Sequence, residues 1–231
     1  MKLLIFGDIH GRDCWEEIII KEAPDKVIFL GDYVSTHDEN MTSEQQCSNL
    51  EDILNYKEKN SDKVVLLRGN HDIQHLGYYW ARCSGFDNKV YNWMSGVKKR
   101  FLKLTQWIHI ENNIIFSHAG VSQVWLDNNK LNLHDINNEP PSEKFAFTPN
   151  NPNDYSGYSI TQPPTWIRPF SLMDCNIKGY SQVVGHTPVY NICNLKNFKD
   201  CKDCKEDIWL CDALPDQYLI IEDNNFTVKN I

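Results

Sequence analysis

Short, mainly apolar runs alternate with polar stretches along the first half of the chain, and the period of that alternation predicts its elements. Residues 2–6, 26–30, 63–67, 113–116 and 181–184 are mainly apolar runs of strand length. Residues 14–21, 43–59, 76–82 and 90–104 read as helices. In the last of these Trp93, Val97, Phe101 and Leu104 recur at helical intervals. Ser43 and Gln46 stand at capping-box spacing. Residues 107–111 and 114–117 flank Asn112-Asn113, a two-residue hairpin turn. Farther on, 188–193, 208–211, 218–222 and 226–229 read as strands, with Asn224-Asn225 as a second hairpin turn. Strands alternating with helices argue for an α/β domain. The chain is of a length for one domain over 1–231. Residues 128–164 break the pattern: rich in Asn, Pro and Ser, they are too long for a routine connection, and 128–165 is expected to form a wall or lid of a site.

Five polar islands close the five principal apolar runs: Gly7-Asp8-Ile9-His10-Gly11, Gly31-Asp32, Gly69-Asn70-His71-Asp72, His118-Ala119-Gly120 and Gly185-His186. Loops at the carboxyl ends of strands are where open α/β sheets place their ligands, so the five are expected to converge. Each residue alone has a plainer explanation. Asp8 could cap a helix, Asp32 and Asn70 could form turns, and His118 or His186 could be a satisfied core histidine. Taken together they supply carboxylates, imidazoles and an amide, a set that suits Mn²⁺, Fe or Zn²⁺ better than Ca²⁺. Two such ions about 3.5–4 Å apart can activate a water and clamp a phosphate.

This order of islands resembles the calcineurin-like metallophosphoesterases. Within them it is most similar to the phosphoprotein-phosphatase-type branch, which includes bacterial serine/threonine phosphatases and symmetrical diadenosine tetraphosphatases. Leu67-Arg68-Gly69-Asn70-His71, Ser117-His118-Ala119-Gly120, Trp166-Ile167-Arg168-Pro169 and Gly185-His186-Thr187-Pro188 carry the likeness, which runs from residue 7 to about 188. The resemblance implies two stacked mixed sheets flanked by helices. It implies one cation on Asp8, His10 and Asp32, and a second on Asp32, Asn70, His118 and His186. His71 would protonate the leaving oxygen, Asn70 and Arg168 would touch the phosphate, and Arg68 would stand beside the cations. The implied enzyme is a dinuclear phosphoesterase that cleaves by attack of a water held between two divalent cations, manganese foremost and iron or zinc as alternatives.

The likeness fails at one point. After Gly31-Asp32-Tyr33-Val34 that branch continues Asp-Arg-Gly, whereas this chain reads Ser35-Thr36-His37. The replaced arginine is a phosphate ligand in the branch and the replaced aspartate supports the acid imidazole, a task Ser35 cannot perform as a carboxylate would. Arg12, His37 and Asp38 are the candidates to compensate. The leading expectation is a phosphomonoesterase of the serine/threonine phosphatase type, acting on a phosphoprotein or a small phosphorylated molecule. The alternative is a nucleotide-directed hydrolase of dinucleoside polyphosphates or phosphodiesters, and Tyr78-Tyr79-Trp80 could stack a base. A non-catalytic binding module is the reading from another class.

A net charge of −8 without any basic block argues against long nucleic acid as a partner. The apolar start is too short for a signal peptide, and no run suits a membrane span, so a cytoplasmic protein is expected. Free thiols are then the default for the eight cysteines. Cys193, Cys201, Cys204 and Cys211 cluster closely enough to hold structural zinc as an alternative.

Overall fold

The computed structural model describes residues 1–36, 38–149, 151, 154–197 and 206–231. Its strands alternate their side chains between two different cores, which explains why the sequence shows apolar runs rather than alternation. In β1 (Lys2–Phe6), Leu3 and Ile5 face one apolar cluster while Leu4 and Phe6 face another. β2 (Lys26–Phe29) and β3 (Val64–Leu66) divide in the same way. Among the described residues these strands belong to a five-stranded sheet ordered β10-β9-β1-β2-β3, with β9 at Gln217–Glu222 and β10 at Asn225–Asn230. β1, β2 and β3 run parallel, and β9 joins β1 antiparallel.

The second sheet is ordered β4-β5-β6-β8-β7: β4 (Ile108–Glu111), β5 (Ile114–Ser117), β6 (Ser181–Val184), β7 (Cys193–Asn194) and β8 (Ile208–Leu210). β5, β6 and β8 are parallel, so their carboxyl ends share one edge. The two sheets stack through Leu3, Ile5, Ile28, Leu30 and Val65 from the first and Ile114, Phe116 and Val183 from the second. The outer face of the first sheet is covered by α1 (Trp15–Glu22), α2 (Ser43–Lys59) and α4 (Asn88–Leu104). α3 (Asn70–His75) starts at the edge of β3, α5 is Gln123–Asn129, and α6 (Pro169–Asp174) backs the second sheet through Leu172. The expected pair of stacked mixed sheets flanked by helices is present. Among the described residues no helix is long and apolar enough to cross a membrane.

The differences from the sequence expectations are local. The helix expected over 76–82 is a series of turns, because Gly77 adopts φ +78° and α3 has already ended at His75. The capping box of α2 uses Thr42 and Gln45, one residue before the expected pair. The run 188–193 is mostly irregular and only Cys193–Asn194 pairs as a strand. The second hairpin turns at Asp223-Asn224, both left-handed, which leaves Asn225 paired in β10. Cys201 and Cys204 lie outside the described residues. Cys193 is half-buried and Cys211 buried.

Candidate metal centre and cleft

The six candidate ligands sit where parallel strands end: Asp8 and His10 after β1, Asp32 after β2, Asn70 after β3, His118 after β5 and His186 after β6. Two glycines let the loops close on one another. A Cβ at Gly69 would lie 2.0 Å from Asp32 Oδ1, and one at Gly185 would lie 2.2 Å from Asp8 Oδ1. His10, Asp32 and His186 have φ of 46°, 49° and 62°, left-handed conformations that cost a non-glycine residue free energy and need external support. Backbone amides supply it. The His186 N–H donates to Asp8 Oδ1 and the His71 N–H to Asp32 Oδ1, both at 2.9 Å. The His10 N–H donates to the Asp32 carbonyl at 2.7 Å. Beneath them buried Asp72 accepts the N–H groups of Asp32, Tyr33 and Gly69 at 2.8–2.9 Å, tying the second island to the third. Burial and the Asp32 charge push the Asp72 carboxyl up to about 8, while the amides of Gly69 and Tyr33 pull it down.

The donor atoms form two triads that share one residue. One triad is Asp8, His10 and Asp32; the other is Asp32, His118 and His186. Within each, the donor atoms lie within 4.8 Å of one another. Asn70 joins the second through its Oδ1, 2.8 Å from His118 Nε2. Two imidazoles are oriented by backbone carbonyls: His10 Nδ1 lies 2.9 Å from Val34 O, and His118 Nδ1 lies 3.0 Å from Leu30 O. Each ring therefore turns Nε2 toward the centre, the usual arrangement for a metal-ligating histidine.

Electrostatics asks for positive charge here. Burial, reinforced by Asp212, drives the Asp8 carboxyl well above its usual range. Burial would lower the His118 imidazole, yet Asp32 and Asp8 outweigh it and push it up to about 10. His186 goes the other way, since burial, His118 and Arg168 drive it well below its usual value. Its Nε2 is a neutral, buried nitrogen with no hydrogen-bond partner among the described residues. Carboxylates that call for a cation beside an unpartnered imidazole nitrogen are the donor set of a divalent metal site, and the residues fit one.

The centre opens into a cleft of about 460 Å³. His71 lines it, its ring edge-on to His10 with centroids 5.6 Å apart. Arg168 also lines it; Nη1 donates to His186 O at 3.0 Å and to Thr187 Oγ1 at 3.1 Å, and Nε donates to Ser156 O. Its Nη2 makes no hydrogen bond to another described residue. The family model for calcineurin-like phosphoesterases matches residues 1–207. The chain belongs to that family. Among solved structures it is similar to a cold-active protein tyrosine phosphatase, with 15% identity, a TM-score of 0.59, and coverage of 99% of this chain and 78% of that one. A serine/threonine phosphatase from Saccharomyces cerevisiae shares 14% identity at a TM-score of 0.58, covering 100% and 79%. A metallophosphoesterase from Sphaerobacter thermophilus shares 14% at 0.50, covering 100% and 88%. At such identities these neighbours speak to the fold.

In this phosphoesterase two of the expected cationic residues are placed elsewhere. Arg68 does not line the cleft. Its guanidinium donates to Leu102 O, Thr105 O and Thr105 Oγ1 at 2.6–2.9 Å and lies 4.7 Å over the Trp107 ring, a structural post between β3 and the end of α4. Arg12 folds back onto the carbonyls of Asp8 and Ile9 and is absent from the cleft lining. Asp38 is engaged with Asn40, and His37 lies outside the described residues. Ser35 has its hydroxyl 3.5 Å from His75 Nδ1, while the Cys83 thiol lies 3.7 Å from His71 Nδ1.

Asp212, Arg82 and Cys83 are among the cleft residues that the sequence did not reveal. Asp212 follows β8 just as the other acids follow their strands, and the apolar run before it was the available signal, but no glycine or histidine flags it. Arg82 reaches the cleft from the loop after α3, and no local pattern marks an exposed arginine as functional. Cys83 is next to it. From the irregular segment Phe147 and Tyr155 reach the cleft, beside Trp166, whose ring stands edge-on to His186 with centroids 5.7 Å apart.

Proposed function

We propose that the chain is a phosphomonoesterase of the serine/threonine phosphatase type, working by direct attack of water on phosphorus, with 128–165 contributing a wall of its cleft within a single domain over 1–231. The observation that carries this reading is the pair of donor triads sharing Asp32, with His71 and Arg168 facing the same space. Asp8, His10 and Asp32 would hold one divalent cation, and Asp32, Asn70, His118 and His186 the other. When bound, such cations supply Lewis acidity that lowers the pKa of a water and neutralises phosphate charge.

The remaining work belongs to the chain's own groups. Arg168 is anchored through Nη1 and Nε, so its Nη2 is directed by a fixed plane and can donate to a phosphate oxygen. Asn70 can donate its amide N–H to another. His71 holds a proton for the departing alkoxide, and its position is set by its own N–H on Asp32. Arg82 brings a second cation into the cleft, which compensates for the arginine absent after Val34. A monoester dianion matches this concentration of positive groups better than a diester monoanion. Manganese is the proposed metal and the cytoplasm the proposed compartment. The test is hydrolysis by chelated, manganese-reconstituted protein. Para-nitrophenyl phosphate is expected to turn over faster than its bis-ester or diadenosine tetraphosphate. Preferential cleavage of either of the last two replaces this reading with phosphodiester or dinucleoside polyphosphate hydrolysis.

A further inference from the structure

A second hollow of about 500 Å³ adjoins the cleft and shares Arg82 and Cys83 with it. Its walls are largely aromatic: Tyr78, Tyr79, Phe86 and Tyr91, with no carboxylate in its lining although the chain is acidic overall. Tyr79 is 74% exposed and Phe86 50%, large apolar faces left open beside a catalytic cleft. Neither is loosely held. The Tyr79 hydroxyl donates to Glu143, and Phe86 stacks on His75 with ring centroids 5.1 Å apart and planes 3° from parallel. His75 in turn accepts the Asp87 N–H at 3.0 Å and has Nδ1 2.8 Å from His71 O. The Phe86 platform is thus tied to the same short helix that carries the proton donor. Cys83, which lines both spaces, has its sulfur 3.7 Å from His71 Nδ1. The hollow therefore opens on the side of the cleft where the leaving group departs.

We infer that this hollow seats the base of a nucleoside phosphate whose phosphoryl group occupies the metal cleft, with Arg82 at the junction contacting the anion. Flat aromatic faces accept any base by stacking, and a cation between platform and reaction centre suits the phosphate that joins them. Arg82 makes no hydrogen bond or ion pair with another described residue, so its guanidinium is available. The inference rests on the phosphomonoesterase reading and names the alcohol: a nucleoside.

Two measurements test it. Metal-free protein is titrated calorimetrically with a nucleoside 5′-monophosphate and with ribose 5-phosphate, which presents the same ester without a base. Manganese-loaded protein is assayed for kcat/KM on both esters and on para-nitrophenyl phosphate. The nucleotide is expected to exceed ribose 5-phosphate by about tenfold in affinity and in kcat/KM. That ratio is expected to fall toward one in Tyr79→Ala and Phe86→Ala and to survive in Tyr79→Phe, which keeps the ring without its hydroxyl. A wild-type ratio near one, with para-nitrophenyl phosphate still hydrolysed, overturns the base site and leaves the cleft reading intact. Ring-dependent nucleotide binding without hydrolysis of any ester upholds the base site and overturns the cleft reading. A preference for free phosphotyrosine over the nucleotide, lost in the same variants, overturns the nucleoside assignment.

Discussion

The floor of the cleft and its walls are built by opposite rules. On the floor, Asp8, Asp32, His118 and His186 are buried at strand ends, two of them in left-handed backbone, and held by amides and by Asp72. On the walls Arg82 and Tyr155, and in the adjoining hollow Tyr79 and Phe86, are exposed side chains on irregular segments. The floor fixes what reaction can occur, and it costs backbone strain that only a rigid sandwich can support. The walls fix what enters, and they tolerate change because they stand on surface loops outside the sheets.

The contrast is broken most sharply at its centre. Asp32→Asn is expected to lower turnover of para-nitrophenyl phosphate by about 10²–10³-fold. Its circular dichroism should stay unchanged, because the amide still fits beneath the His71 N–H. A loss below tenfold would remove Asp32 from its bridging place. His71→Ala comes next. Its rate on an alkyl phosphate should fall about 10²-fold with metal content preserved, and by less on para-nitrophenyl phosphate, whose leaving oxygen hardly needs a proton. Equal losses on both esters would deny His71 the acid role.

Two arginines sharpen the comparison. Arg168→Ala should raise KM about tenfold and leave the melting temperature near wild type. Arg68→Met should do the reverse. It strips partners from the Leu102 and Thr105 carbonyls, costing about 1–3 kcal/mol in urea unfolding, with kcat/KM per folded molecule retained. An Arg68 variant that is stable but slow would return that residue to the cleft.

The smallest effect lies away from both regions. Burial would raise the Glu111 carboxyl, but Lys26 at 2.6 Å and His109 at 3.0 Å hold it below 4.5. A depressed folded pKa contributes stability that is complete above that value and is lost as pH falls through the folded one. Glu111→Gln should therefore flatten the acid limb of an unfolding series below about pH 5, by less than about 1 kcal/mol. An unchanged acid limb would show that the ion pair is energetically silent.

The same division decides what was legible in the chain. Strands buried on both faces announce themselves as apolar runs, and loops that must approach backbone to backbone need glycine, so Gly31-Asp32 and Gly69-Asn70 stand out. Asp212 uses the same strand-end position without a glycine and went unseen. Side-chain direction was not legible at all. Arg68 sits one residue from Gly69 yet turns into the body of the fold, while Arg82, with no motif around it, turns into the cleft. Residues 76–82 read as a helix, but Gly77 ended that possibility and left Tyr78, Tyr79 and Trp80 outside one, where Tyr78 and Tyr79 open onto a hollow.

The most direct test of the account is anomalous diffraction from crystals grown with manganese. Two peaks are expected, one among Asp8, His10 and Asp32 and one among Asp32, Asn70, His118 and His186, with Asp32 touching both. A cleft without metal density in a preparation that still hydrolyses phosphate esters, or manganese bound by other residues, would contradict it.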